Sequence, residues 1–177
     1  MATRLVDKYL SRHGITRPIL SGTGPELAAS ECAVIIPSYA ESVLLPQALA
    51  SLAVNPVDQL SRTVVLVVVN TPPAGSDRAA DQVERARLIA DNRATLAWLR
   101  GKPFPELRVG WLDATSPGCE LPGSGGVGLA RKTGADSVLA AWREASPHQV
   151  SRRAILHLDA DTTVEPNYLA TVAGALL

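Results

Sequence analysis

Apolar positions in this chain come in two kinds of run. Ala33, Val34, Ile35 and Ile36 stand together ahead of Pro37, and 63–69 is an unbroken apolar run rich in β-branched residues. Short continuous runs of this kind predict strands buried on both faces, as in a parallel sheet. Between them the period changes. Leu45, Leu49 and Leu52 recur at helical spacing, which predicts a helix over 42–52 with Pro46 tolerated in its first turn. A longer helix is expected over 77–99, with Val83, Ala86, Ile89, Ala90, Leu96 and Leu99 as its buried stripe and Asp91-Asn92-Arg93 as a point of interruption. A third strand is expected over 107–112 and a helix over 127–144. A fourth strand follows over 155–158, with a last helix beginning near Pro166. At the start, a short helix is expected over 2–13, with Leu5, Tyr9 and Leu10 on one face and Gly14 stopping it. Residues 1–30 thus form an N-terminal extension laid over a main domain of 31–177.

Strands alternating with helices imply an open, mostly parallel α/β sheet with helices on both faces. In such sheets ligands bind beyond the carboxyl ends of the strands. The loops at those ends carry Tyr39, Ala40 and Glu41, then Asn70 and Thr71, then Asp159, Ala160 and Asp161.

Composition narrows the function. At 177 residues the chain is long enough for about one domain with its own core. Aromatics make up 4% against 46% hydrophobic residues overall, so the core must be built from Ala, Val and Leu. The net charge is zero, which removes the broad basic field of a nucleic-acid binder. Cys32 and Cys119 are too few for a disulfide framework or a zinc site, and both are expected as reduced thiols of a cytoplasmic protein. The N-terminus lacks the basic-then-apolar layout of a signal peptide, and no apolar run reaches transmembrane length.

The chemistry concentrates at Asp159 and Asp161, one residue apart as an apolar run ends. On a strand both carboxylates face the same way. Like charges so close repel unless a cation joins them, and the simplest is a hard divalent ion, Mn²⁺ or Mg²⁺, shared with a substrate's phosphates. The plainer alternative is a pair of acids capping a surface turn. Residues 123–128, Gly-Ser-Gly-Gly-Val-Gly, fit a dinucleotide-binding fingerprint in form. They do not follow a strand directly, so that reading lacks its required context. His13, His148 and His157 form no catalytic constellation, and His157 is expected as a structural histidine within a strand.

Four segments in order resemble the nucleotide-binding half of a family 2 glycosyltransferase of the GT-A fold: residues 34–41 (Val-Ile-Ile-Pro-Ser-Tyr-Ala-Glu), 65–70 (Val-Leu-Val-Val-Val-Asn), 128–135 (Gly-Leu-Ala-Arg-Lys-Thr-Gly-Ala) and 156–161 (Leu-His-Leu-Asp-Ala-Asp). The resemblance covers roughly residues 32–177 and is most specific in its first and last segments. It implies a nucleotide-diphosphate sugar, UDP- or GDP-linked, as donor and a divalent cation as cofactor. Pro37, Tyr39 and Glu41 would hold base and ribose, and Arg131 the diphosphate. Asp161 would be the more direct metal ligand, with Asp159 on the ribose or a metal-bound water. The family's usual Asp at the end of the second strand is Asn70 here, which leaves the base open. Its usual Asn after the arginine is Lys132, which is expected to be solvated. Residues 146–153 look like an insertion relative to the family. The acceptor site and the general base lie downstream of the metal motif in that family. They are therefore expected beyond Leu177 or on a partner, and an open sheet edge there favours self-association. The alternative is a nucleotide-sugar-binding domain without catalysis.

Overall fold

A computed structural model describes residues 2–17, 24–71, 79–121, 126–145, 148 and 150–176. Its centre is a four-stranded, all-parallel sheet in the order β3-β2-β1-β4, made of β1 (Cys32–Ser38), β2 (Thr63–Asn70), β3 (Val109–Ala114) and β4 (Ala154–His157). The continuous apolar runs of β1 and β2 fall on the central strands and are buried along their whole length. Pro37 is accommodated because pairing with β4 ends at Ile35 and His157, so the residue without an N–H lies past that shorter ladder. The third strand runs two residues later than the pattern predicts, because Leu107 is buried in the turn leading into it.

Helices cover both faces. On one lie α3 (Leu45–Ala53), α4 (Val57–Leu60), α5 (Ala79–Arg100) and α7 (Tyr168–Leu176), whose Leu45, Leu49, Leu52, Leu96, Leu99 and Leu169 pack on Val34, Ile36, Val65, Val67 and Val69. On the other lie α1 (Ala2–His13), α2 (Gly24–Ala29) and α6 (Gly126–Ala145), with Ala130, Val138 and Trp142 of α6 against Ala33, Ile35, Val64, Leu66 and Val68. The chain steps outward from β1 to β2 to β3, then returns to the far side of β1 for β4. Right-handed crossovers taken in opposite directions put their helices on opposite faces. That is why α5 and α6 lie on opposite sides, and why the strand order reverses between β1 and β4.

Helix α6 comes unusually close to the sheet. A Cβ built on Gly134 would stand 2.5 Å from Ile35 Cγ2 and 2.9 Å from Val68 Cγ2, so any larger residue must push both side chains aside. The Trp142 indole N–H donates to the Leu27 carbonyl at 2.8 Å and to Ser30 Oγ at 3.0 Å, fixing α2 to the same helix.

Several expectations are corrected. The short helices α2 and α4 and the 3₁₀ turn at Val150–Arg152 have too little periodicity to be foreseen. Helix α3 starts at Leu45 rather than 42, because Ser42–Leu44 form a turn in which the Leu45 amide bonds the Glu41 carbonyl at 2.9 Å. Leu5, expected to share a face with Tyr9 and Leu10, is 64% exposed. Along α5 only Leu96 and Leu99 of the expected stripe are buried; Ala86 and Ala90 are exposed and Val83 is 58% exposed. The helix also continues through Asp91-Asn92-Arg93 without interruption. The two facts have one cause. Asn92 bonds the carbonyl of Asn70, the last residue of β2, so residues 79–91 rise past the carboxyl edge of the sheet. At 1.5 Å per residue this overhang is about 18 Å long and has no sheet to cover it. Lys132 is not solvated either. Its ammonium donates to Tyr9 Oη at 3.0 Å and to the His13 carbonyl at 2.6 Å, and pairs with Asp136. Buried Asp136 also accepts from Tyr9 Oη at 2.9 Å and from the Ile15 amide at 2.8 Å, and Arg143 grips Asp7 through two hydrogen bonds. Residues 2–17 are thereby stitched to α6.

Candidate functional site at the strand-order switch

The carboxyl ends of β1 and β4 meet at the reversal in strand order, the place where open α/β sheets bind ligands. Beyond His157 the alternation of a strand persists: Leu156, Leu158 and Ala160 are buried, while His157, Asp159 and Asp161 are exposed. The Leu158 amide still bonds the Ile35 carbonyl at 3.1 Å, and a turn closed by the Thr162 amide on the Asp159 carbonyl at 3.0 Å follows. Both carboxylates therefore stand on one open face, as their spacing predicts. His157 shares that face, so it is not an interior histidine. Its imidazole is held below its ordinary pKa by burial and by the nearby Arg131 charge, with Asp159 opposing.

The loop after β1 supplies the facing wall. Tyr39 is 42% exposed at its tip and Glu41 is half-buried. Glu41 Oε2 accepts from the Tyr39 amide at 3.1 Å. Burial raises the Glu41 carboxyl above its ordinary value. The Tyr39 amide opposes that shift, and the charges of Asp161, Asp159 and Asp91 add to it. Acids from β1, β4 and α5 thus converge on one region. Burial also raises the Tyr39 phenol, with Glu84 on the α5 overhang adding to the shift, so the overhang flanks the same space.

From the other face, α6 delivers Arg131, whose guanidinium pairs with Asp159; their side chains are 35% and 51% exposed. Asp161 has the Thr162 hydroxyl beside it at 3.4 Å. Asn70, at the end of β2, is buried; its backbone carbonyl accepts from Asn92, while its side-chain oxygen has no partner among the described residues. Pro37 is buried in β1 beneath the loop it starts. The structure therefore gathers Tyr39, Glu41, Arg131, Asp159 and Asp161 around the switch point, with Asn70 one strand away. The glycine-rich approach before Gly126 and the loop after Thr71 lie outside the described residues.

Sequence reasoning missed Asp91 and Asn92. Asn92 is buried in the middle of α5 and bonds the ends of all three strands on its side of the switch. Its Oδ1 accepts from the Ala40 amide at 2.8 Å; its Nδ2 donates to the Asn70 carbonyl at 2.9 Å and reaches Thr71 Oγ1 at 3.2 Å and Thr115 Oγ1 at 3.3 Å. The only signal was an Asp-Asn-Arg triplet within a helical pattern, which reads as a break when no partner is in view.

Among the described residues no helix is long and apolar enough to cross a membrane, and no group of three or more His, Cys, Asp or Glu could hold a metal ion. Cys32 and Cys119 are both free, and burial pushes the Cys32 thiol up to about 11. The fold and this switch-point site define an open parallel α/β domain with acids gathered at the carboxyl edge of its sheet. No family model matches the chain, and no curated protein does. Among solved structures, the crystal structure of S. aureus TarS 1-349 is similar at a TM-score of 0.35 and 18% identity, over 81% of this chain and 31% of that one. The chain spans less than a third of that neighbour, and a likeness so slight carries no functional argument.

Proposed function

We propose that this chain is the donor-binding part of a metal-dependent, inverting glycosyltransferase that takes a UDP- or GDP-linked sugar. The observation that supports it most is the convergence of Glu41, Asp159, Asp161 and Arg131 at the reversal in strand order. Three acids and one guanidinium suit a ligand with hydroxyls, phosphates and a shared cation. The donor set also fits Mn²⁺ or Mg²⁺: Asp161 is an exposed hard oxygen ligand, and its charge joins that of Asp159 in raising Glu41. With no protein cluster of three ligands among the described residues, the ion would complete its shell with the donor's phosphates and water. When bound, such a cation neutralises charge growing on a departing diphosphate.

The chain's own residues would do the rest. Tyr39 would lay its ring against the base, and Glu41 would accept from ribose hydroxyls. Pro37 would set where that loop leaves the sheet. Arg131 would turn from Asp159 to the diphosphate, a bidentate acceptor well matched to a guanidinium. Asp161 would hold the cation, with Asp159 on the ribose or a metal-bound water. The unpartnered Asn70 side-chain oxygen would accept an N–H from the base, which both uracil and guanine offer.

Calorimetric titration of UDP and GDP, each with and without Mn²⁺, tests the proposal. Metal-dependent binding of one nucleotide, lost in Asp161→Asn, is the expected result. Binding without any metal requirement would favour a nucleotide-sugar-binding domain without catalysis. If a folded sample bound neither nucleotide, the donor-site reading would fail.

A further inference from the structure

We propose that Asp91 and Asn92, where α5 passes the carboxyl edge of the sheet, are positioning residues of this site: they lock the Tyr39–Ser42 loop so that Tyr39 and Glu41 meet a nucleotide in one fixed geometry. The consequence for nucleotide affinity rests on the donor-site reading above; the lock itself does not.

The loop is held at every second residue. Asn92 Oδ1 takes the Ala40 amide at 2.8 Å. Asp91 takes Ser42 twice, its Oδ1 accepting from the amide at 3.0 Å and its Oδ2 from the hydroxyl at 2.6 Å. Glu41 lies between the two clamped residues and Tyr39 immediately before them, and both stand at the switch point. Ala40 has φ of +56°, a conformation that non-glycine residues rarely adopt without a specific restraint. The bond from its amide to a buried side chain supplies that restraint. Asn92 is itself over-determined, because its amide nitrogen serves the Asn70 carbonyl and reaches two threonine hydroxyls, Thr71 and Thr115, which bond each other. A loop fixed in this way enters binding with its ordering entropy already lost, which is how preorganisation raises affinity. The charge of Asp91 also reaches Glu41, on the loop that Asp91 holds.

Isosteric substitutions separate positioning from bulk stability. Asn92→Asp keeps the acceptor for Ala40 but replaces the donor to Asn70 with an oxygen, and Asp91→Asn leaves one acceptor where Ser42 uses two. Leu96→Ala, a core truncation in the same helix, is the control that loosens the protein without touching the loop. Amide hydrogen exchange at Ala40 and Ser42 is measured by NMR in the full chain, alongside calorimetric affinity for UDP and GDP with Mn²⁺. We expect exchange at least tenfold faster than in Leu96→Ala in both isosteric variants. We also expect a tenfold or greater loss of affinity that Leu96→Ala does not share. Exchange no faster than in the control would overturn the lock. A loosened loop with unchanged affinity would overturn its role in the site. If the wild-type chain bound neither nucleotide, the donor-site reading would fall while the exchange rates still decided the lock.

Discussion

The two sides of the switch-point site are held by different physics. On the β1 side, Tyr39 and Glu41 sit on a loop tied to α5 through buried Asn92 and half-buried Asp91. On the β4 side, Asp159 and Asp161 stand exposed on a short turn, and Asp159 is held by a half-exposed ion pair with Arg131. Buried hydrogen bonds are strong in place because losing one partner strands the other away from water. Exposed ion pairs are weak and easily exchanged. One wall is therefore built for fixed shape, and the other for charges that can change partners. The donor site we propose, with a rigid base to recognise and a phosphate to receive with a cation, would use both.

The largest effect is expected on the rigid wall. Asn92→Ala strands the Asn70 carbonyl and the Ala40 amide, and should cost about 3 kcal/mol in a urea melt. A loss below about 1 kcal/mol would mean water replaces the side chain and the contrast is overstated. Gly134→Ala tests the opposite face. The new methyl must push on Ile35 and Val68. Overpacking of about 1–3 kcal/mol, partly offset by about 1 kcal/mol of helix propensity, should leave a net loss near 1 kcal/mol. That change should disturb Arg131, which shares α6, while the Ala40 amide stays protected. Arg131→Ala should cost under about 1 kcal/mol of stability, since its pair is solvent-screened, yet weaken nucleotide binding tenfold or more. A stability loss of several kcal/mol with unaltered binding would reverse the assignment of that wall.

The smallest effect is one of pH. The Glu41 carboxyl is raised in the folded protein, first by burial and then by its acidic neighbours, so the folded state holds this proton more tightly than the unfolded chain. Stability from this group is fully present below its ordinary value of 4.5 and is lost as pH rises through the raised folded value. Glu41→Gln should therefore flatten the stability profile just above that ordinary value, gaining stability at neutral pH and little in acid. A mutant and wild type that ran parallel across that window would show Glu41 to be free of its neighbours' field.

Much of this was legible beforehand, for identifiable reasons. The runs at Ala33–Ile36 and 63–69 could only be central strands, because nothing polar interrupts them. Asp159 and Asp161 were legible because a spacing of two in extended chain puts both side chains on one face. Lys132 misled because Asp136, one turn along α6, and Tyr9, far back in the chain, become its partners only when α1 folds onto α6. Val83 misled because periodicity reports which positions share a face and not whether anything covers that face.

Periodicity and the strand-end carboxylates were determined locally, since each depends on residues a few positions apart. Chain folding alone decided which strand lies beside β1, how far α5 overshoots the sheet, and that a polar pair in mid-helix reaches the ends of three strands. Those are contacts between residues tens of positions apart. No local pattern encodes them, because their energy arises only when burial leaves a polar group with one partner to choose.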